Sequence, residues 1–252
     1  MKAFLINLER AKERLVSAQR SLEGAGFSVV RVDAVDGRAP GFAAEDFSER
    51  SLRLLHGKRP NPSEIGCYFS HIRAISLFME SGDEFGLIAE DDITVAESCG
   101  ELIAKCVGFR EHWDMLRLSG LHHGTPLRCI RIADPYFLGI CLTRQTGSGA
   151  YVINRKAARN LLLHLKVMRL PYDHAFDREW LFNFKTMVLV PLPVCQQTAG
   201  FPSQIAQSAE TYKYALFMRY WTVFPYRAYN ECSRVIYRIL RYIKIKIGSR
   251  SA

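Results

Sequence analysis

The sequence lacks three features that would assign it to a specialised class of protein. None of its seven cysteines forms a Cys-x-x-Cys pair, so neither a disulfide framework nor a zinc site is expected, and a reducing compartment fits best. No uncharged apolar run approaches the roughly 20 residues that a membrane-spanning helix needs. The apolar stretch at the N-terminus is interrupted by charge at Glu9 and is followed by no small-residue cleavage site, so a secretory signal is not expected there. These absences predict a globular, cytoplasmic protein.

Positive charge is concentrated at the end of the chain. From Thr211 onward nine residues are basic and only Glu231 is acidic, so this stretch carries +8 of the net charge of +9. We therefore divide the 252 residues into a nearly neutral domain, 1–210, and a cationic extension, 211–252. This asymmetry argues against a protein that binds nucleic acid over its whole surface.

Alternating strand and helix patterns predict an α/β fold for the domain. The stretches KAFLINL and FSVVRVDAV have the composition of strands, and they flank apolar positions at helical spacing over residues 10–25. A helix over residues 63–81, with Ser63 as its N-cap, leads into the apolar strand FGLIAE. Further strands are expected over residues 136–153, and a helix over residues 174–184. In such folds the functional loops follow the C-terminal ends of the strands.

Three consecutive carboxylates, Glu90, Asp91 and Asp92, follow one of these predicted strands. An acidic residue after a strand often only caps the backbone of a turn. Three adjacent carboxylates, however, raise one another's pKa unless something neutralises them, and a divalent cation such as Mg²⁺ or Mn²⁺ is suited to oxygen ligands. In an extended chain Glu90 and Asp92 point to the same side. The residues alone leave both interpretations open.

Several stretches of the chain resemble glycosyltransferase family 25. This family includes bacterial lipopolysaccharide and lipooligosaccharide glycosyltransferases and the collagen galactosyltransferases. The resemblance lies in four stretches that occur in the family's order: FLINLERAKERL, RVDAVDG, SEIGCYFSHIRAI and LIAEDDI. Weaker similarities follow in GSGAYVINRKAARNLL, PYDHAFDREW and PLPVCQQTAGFPSQI, so that the resemblance spans about residues 3–205.

The resemblance implies a GT-A-like fold, in which a Rossmann-type mixed sheet is flanked by helices. It also implies inverting transfer of a hexose, most often galactose, from a UDP-sugar to a saccharide acceptor of a bacterial surface glycan. The implied cofactor is Mn²⁺ or Mg²⁺, held by Glu90 and Asp92 with support from Asp91. The motif of this chain begins with a glutamate, which is longer than aspartate, so the resemblance leaves open which carboxylates contact the metal.

The resemblance also places other residues at the site. The nucleotide-sugar-binding residues that it implies are Asn7, Arg14, Asp36, Gly37, Ser70, Gly147 and Gly149. Asp173 is the predicted catalytic base, and His71 is a second predicted catalytic residue. Predicted substrate contacts are Asp177, Gln197 and Ser203. Simpler structural roles stay open for several of these: a solvated helix face for Arg14, a plain turn for Asp36, a buried structural group for His71, and helix capping for Asp173.

The cationic extension predicts a helix that lies on a membrane surface. One helical stripe holds Val235, Ile236, Ile239, Leu240, Ile243 and Ile247, while Arg234, Arg238, Arg241 and Lys244 fall largely off it. We expect this helix to bind the anionic inner face of the plasma membrane, where a lipid-linked acceptor would be found. The alternative is a non-catalytic membrane-binding protein that retains the fold, and it leaves the three acids unexplained.

Overall fold

The computed structural model describes residues 1–40, 46–59, 61–122, 124–196 and 214–248. Its strands are β1 (Lys2–Asn7), β2 (Ser28–Asp33), β3 (Phe85–Glu90), β4 (Ile93–Val95), β5 (Met115–Arg117), β6 (Pro126–Ala133), β7 (Tyr136–Cys141), β8 (Ala150–Asn154), β9 (Thr186–Val190) and β10 (Val194–Gln196). Its α-helices are α1 (Lys12–Gly24), α2 (Glu49–Leu55), α3 (Pro62–Glu80), α4 (Cys99–Val107), α5 (Arg155–His164), α6 (Tyr172–Ala175), α7 (Glu179–Phe182), α8 (Leu216–Trp221) and α9 (Val223–Gly248).

Eight of these strands form one mixed sheet in the order β2-β1-β3-β8-β5-β9-β7-β6. Strand β1 is parallel to both β2 and β3, whereas β8 runs antiparallel to β3 and β5. In this register Asn7 pairs with Asp33 and Ile6 pairs with Glu90. The C-terminal ends of the three parallel strands therefore lie side by side, as the sequence predicts, and the predicted mixed α/β sheet flanked by helices is confirmed.

Apolar residues cover both faces of the sheet. Leu5 and Leu87 pack on one face with α1 and α4, in a core that includes Leu22, Ile103 and Trp113. Their chain neighbours Phe4 and Ile88 point to the opposite face, where they pack with residues of α3 and α5. This alternation is the two-residue period of a strand that is buried on both sides. It explains why FLIN and GLIA are uninterrupted apolar runs.

The structure corrects two local predictions. Helix α3 is capped by Asn61, whose side chain accepts a hydrogen bond from Ser63 N at 3.0 Å, so Ser63 is not the N-cap. Pro62 occupies the first turn, where its missing N–H costs no hydrogen bond. A single helix is expected over residues 174–184, but the structure has two short helices there, α6 and α7. The residue that follows α7, Asn183, adopts the left-handed conformation and caps the helix.

The cationic extension forms α8 and the long helix α9. A helix over residues 234–247 is confirmed, and two arginines set its orientation relative to the domain, which the sequence leaves open. Arg234 and Arg238 are only 2% and 3% exposed, because they point into the protein toward the buried carboxylates of Asp177 and Glu179. Within the described residues, no helix has the length and apolar character required to span a bilayer.

Candidate active site

Asp91 is held by two residues from the neighbouring strand and helix. Asn7, at the end of β1, donates a hydrogen bond to Asp91 Oδ2 at 2.7 Å, and Arg14 of α1 lies 2.7 Å from Oδ1. Arg14 also lies 3.4 Å from Asp92. Burial raises the pKa of Asp91, and the charge of Arg14 opposes that effect. Both oxygens of Asp91 are therefore engaged within the protein, which suits the supporting role predicted for it.

Glu90 is held by a buried polar network. Ser148 Oγ donates to Glu90 Oε1 at 2.6 Å, and His71 Nε2 lies 3.2 Å from the same oxygen. Burial acts to raise the pKa of Glu90, but the hydrogen bonds from His71 and Ser148 hold it below its usual value. Glu90 is thus kept as a carboxylate anion at the edge of the core.

His71 is itself locked in place by two tyrosines. Its Nδ1 lies 3.1 Å from Tyr151 Oη, and its ring stacks on Tyr172 with centroids 4.1 Å apart. The two tyrosine hydroxyls are 2.8 Å from each other. Because His71 is fully buried and both ring nitrogens have partners, we assign it a positioning role toward Glu90. This geometry favours positioning, and the catalytic role predicted for His71 stays a prediction.

Asp92 is the carboxylate with unmet bonding capacity. Its Oδ1 is buried and has no hydrogen-bond partner within the described part of the chain. Burial and the neighbouring charge of Glu90 raise the pKa of Asp92 to about 7. A buried acceptor beside a second carboxylate is a costly arrangement unless a cation completes it. The residues present therefore fit a divalent metal ion held by Asp92 and Glu90.

A second group of ligand atoms lies nearby, in Cys67, His71 and Glu90, within 4.8 Å of one another. It is a poor metal site for two reasons. Burial and the charge of Glu90 raise the pKa of the Cys67 thiol well above its usual value, and the thiolate is the form that binds metals. Both nitrogens of His71 are also already engaged.

The loop before β8 connects Glu90 to the predicted base. Gly149 O accepts a hydrogen bond from Glu90 N at 2.8 Å, and Gly147 N donates to Asp173 Oδ2 at 3.5 Å. Gly147 has a φ of +89°, a conformation that favours glycine. Arg117 of β5 holds this loop in place by donating hydrogen bonds to the carbonyl oxygens of Gln145 and Gly147. Gly147, Gly149 and Asp173 thus lie together beside the acidic cluster.

The residues after β2 have structural partners. Asp36 forms an ion pair with Arg10, and this hydrogen-bonded arginine lowers the pKa of Asp36. A Cβ at Gly37 would lie 1.8 Å from Pro62 O, so this glycine permits close contact with α3. Ser70 is buried, accepts a hydrogen bond from Val35 N at 2.8 Å and donates to Gly66 O at 2.6 Å. These contacts anchor the loop to α3, and nucleotide binding by Asp36, Gly37 and Ser70 stays a prediction.

The predicted substrate contact Asp177 instead lies inside the protein. It is 2% exposed, and Arg117, Arg234 and Arg238 surround it at 3.4, 3.2 and 2.8 Å. Burial would raise the pKa of Asp177, but these three charges hold it below its usual value. Its carboxylate thus pairs with internal arginines, and the substrate contact predicted for Asp177 stays a prediction that this geometry does not favour. Gln197 and Ser203 lie outside the described residues.

Four residues of the site were absent from the sequence predictions: Arg117, Ser148, Tyr151 and Tyr172. Ser148, Tyr151 and Tyr172 occur within GSGAY and LPYDH, stretches that the resemblance to family 25 already singled out. Their signal was therefore present, but only the fold shows that Ser148 contacts Glu90 directly and that the two tyrosines reach it through His71. Arg117 ends a short apolar strand and has no comparable signal.

Comparison with known proteins identifies the family of this chain. The sequence model of glycosyltransferase family 25 (LPS biosynthesis protein) matches residues 1–176. A "Glycosyltransferase 25 family member" of Drosophila pseudoobscura pseudoobscura is 34% identical over 97 residues, which are 36% of this chain and 15% of that relative. This chain therefore matches only a small part of that protein.

Two solved structures show distant similarity. A197 from STIV is 13% identical with a TM-score of 0.40, over 75% of this chain and 81% of that one. A glycosyltransferase involved in the glycosylation of the major capsid of PBCV-1 is 11% identical with a TM-score of 0.44, over 74% and 79% of the two chains. The assignment depends on the family match, which covers 176 of 252 residues together with the carboxylates described above. The chain belongs to glycosyltransferase family 25.

Proposed function

We propose that this chain is a glycosyltransferase that transfers a hexose from a UDP-sugar, and that the hexose is galactose. The proposed acceptor is a saccharide of bacterial lipopolysaccharide or a related surface glycan. The observation that carries the proposal is the half-buried Asp92, whose buried Oδ1 has no hydrogen-bond partner within the described residues and which lies beside the ionised Glu90. These two carboxylates lie at the C-terminal edge of the parallel strands, where nucleotide ligands bind in α/β sheets.

Glu90 and Asp92 are the proposed ligands of a Mn²⁺ or Mg²⁺ ion. Both hydrogen bonds to Glu90 use Oε1, and the bond-free atom of Asp92 is Oδ1. Oxygen-only ligands suit either cation. When bound, such an ion stabilises the negative charge that develops on a diphosphate leaving group.

Arg14 and Asn7 set the position of the acidic cluster. Arg14 contacts both Asp91 and Asp92, and Asn7 donates to Asp91, so the cluster has limited freedom to move. A rigid set of charges loses little free energy through reorganisation during reaction. We propose that Arg14 also supplies positive charge toward the diphosphate of the donor.

Asp173 is the proposed catalytic base. It accepts a hydrogen bond from Gly147 N, in the loop whose Gly149 carbonyl is bonded to Glu90 N. A base must come within hydrogen-bond distance of the acceptor hydroxyl from which it removes a proton. The position of Asp173 beside this loop supports that role, and inversion at the sugar carbon is part of the proposal.

The function is tested by measuring UDP release from a panel of UDP-sugars with and without Mn²⁺. We expect turnover of one sugar, UDP-galactose, and loss of that turnover when the metal is chelated. Addition of the metal should restore the rate. Equal, metal-independent release from every sugar in the panel would reject the proposal and leave a non-catalytic protein that retains the fold.

Replacing His71 tests its positioning role. In His71→Leu, Glu90 loses a hydrogen bond, and we expect the Mn²⁺ concentration for half-maximal activity to rise by about 10–100-fold. His71→Gln, which retains a donor, should recover part of that loss. His112→Leu serves as the control because the His112 ring lies away from the acidic cluster and forms an ion pair with the surface residue Glu111. If His71→Leu lowers stability but leaves the metal dependence unchanged, His71 has only a packing role.

A further inference from the structure

The outer face of α8 and α9 is apolar and open to solvent. Of the sixteen large hydrophobic side chains that are exposed among the described residues, eleven belong to these two helices. They are between 38% and 79% exposed. The eleven are Leu216, Phe217, Tyr220, Trp221, Phe224, Tyr229, Ile236, Ile239, Leu240, Ile243 and Ile247. A contiguous apolar surface of this kind marks an interaction site.

The inner face of α9 carries the charged residues. Arg238 donates to Glu179 at 2.7 Å and to Asp177 at 2.8 Å, and Arg234 lies 3.2 Å from Asp177. Arg241 donates to the carbonyls of His112 and Thr186 at 2.7 and 2.8 Å. An ordinary surface helix buries its apolar face and exposes its charged face. In α9 this arrangement is reversed, because Arg234 and Arg238 face the protein. The residues that face the solvent include Ile236, Ile239, Ile243 and Ile247. Helix α9 cannot rotate its apolar face inward without leaving the buried carboxylates unpaired.

The character of the exposed face identifies its partner. Aromatic residues occupy its first half and aliphatic residues its second half, and only Glu231 and Lys244 are exposed charges on the two helices. Tyrosine and tryptophan are suited to the membrane–water interface, and isoleucine and leucine to acyl chains. Arg219, Arg227, Lys244 and Lys246 of these helices are at least partly exposed, against the single acidic residue Glu231. A second copy of the chain would bring two such positive surfaces together, whereas an anionic surface complements their charge.

We propose that the outer face of α8 and α9 docks on an anionic lipid bilayer, such as the cytoplasmic leaflet of a membrane. Helix α9 has 26 residues and is therefore about 39 Å long, and it would lie along the interface without crossing it. The buried arginines couple this helix rigidly to the domain. The docking requires no part of the glycosyl-transfer proposal, because none of the eleven residues contacts the acidic cluster.

The test is flotation of the full chain with phosphatidylglycerol–phosphatidylcholine vesicles and with phosphatidylcholine vesicles. We expect the wild type to float with the anionic vesicles, and the double variant Ile236→Glu/Ile243→Glu to lose partition by roughly tenfold or more. The matched control is Val16→Glu/Leu163→Glu, which adds the same charge at two exposed apolar residues of α1 and α5 and should still float. Phe217→Ser is a second, uncharged variant that should also weaken flotation.

Three results would overturn this inference. They are a wild type that floats with neither vesicle type, an equal loss of partition in both double variants, and a dimer in light scattering that Ile236→Glu/Ile243→Glu dissociates without lipid. UDP release measured without vesicles should be the same in the wild type and all the variants. That comparison separates failure of the docking inference from failure of the proposed function.

Discussion

Replacing Asp92 with asparagine is expected to lower the rate of UDP-sugar turnover by about 100-fold or more. The change removes a charged metal ligand, and loss of residues that merely support such ligands already costs 10–100-fold. The same substitution should leave the unfolding temperature unchanged or raise it. Burial of this charge beside Glu90 lowers the stability of the folded protein, as the raised pKa of Asp92, about 7, indicates.

Asp33→Asn is the matched control for this prediction. Asp33 ends the neighbouring parallel strand, so the substitution makes the same chemical change at the same edge of the sheet. The carboxylate of Asp33 is exposed and forms a surface ion pair with Arg31, so we expect an activity within about twofold of the wild type. If Asp92→Asn retained full activity, or if its loss of activity followed a loss of folded protein, Asp92 would not be a metal ligand.

Replacing Arg238 with methionine is expected to lower the free energy of unfolding by about 3–5 kcal/mol. Arg238 is buried and bonds both oxygens of Glu179, one oxygen of Asp177 and the carbonyl of Cys141. Methionine fills a similar volume but leaves two buried carboxylates without this cation. The measurement is equilibrium denaturation by urea, monitored by circular dichroism.

The control for this prediction is Arg131→Met, which removes an arginine from an exposed ion pair with Asp134. That change should alter the free energy of unfolding by no more than about 1 kcal/mol. A third variant, Arg238→Met/Glu179→Met, should recover part of the lost stability because it removes one of the uncompensated charges. Equal effects of Arg238→Met and Arg131→Met would show that α9 contributes little to the stability of the domain.

The sequence predicted the parallel half of the sheet well. The strands β1 and β3 are buried on both faces, so each is a continuous apolar run, and each ends at the polar residues that converge in the structure, Asn7 and Glu90. Local pattern and tertiary environment agree there. The position of the three carboxylates at the sheet edge follows from that agreement and from the topology of parallel strands.

The orientation of α9 relative to the domain could not be predicted from the sequence, for a physical reason. Periodicity shows that Arg234 and Arg238 lie on one side of a helix and Ile236 and Ile243 on another, but it does not say which side faces the protein. That choice depends on Asp177 and Glu179, about 60 residues away in sequence, whose buried carboxylates require the arginines. The same limit applies to His71, whose partners come from separate elements. The division of the chain at residue 210 stays a prediction.

The most direct test of the metal site is anomalous diffraction at the manganese edge from crystals grown with Mn²⁺ and UDP. We predict one strong peak within about 2.0–2.6 Å of a carboxylate oxygen of Glu90 or Asp92, with the diphosphate of UDP on its other side. The peak should be absent in Asp92→Asn. A wild-type crystal with UDP bound elsewhere, or with no manganese at these carboxylates, would contradict the proposed function.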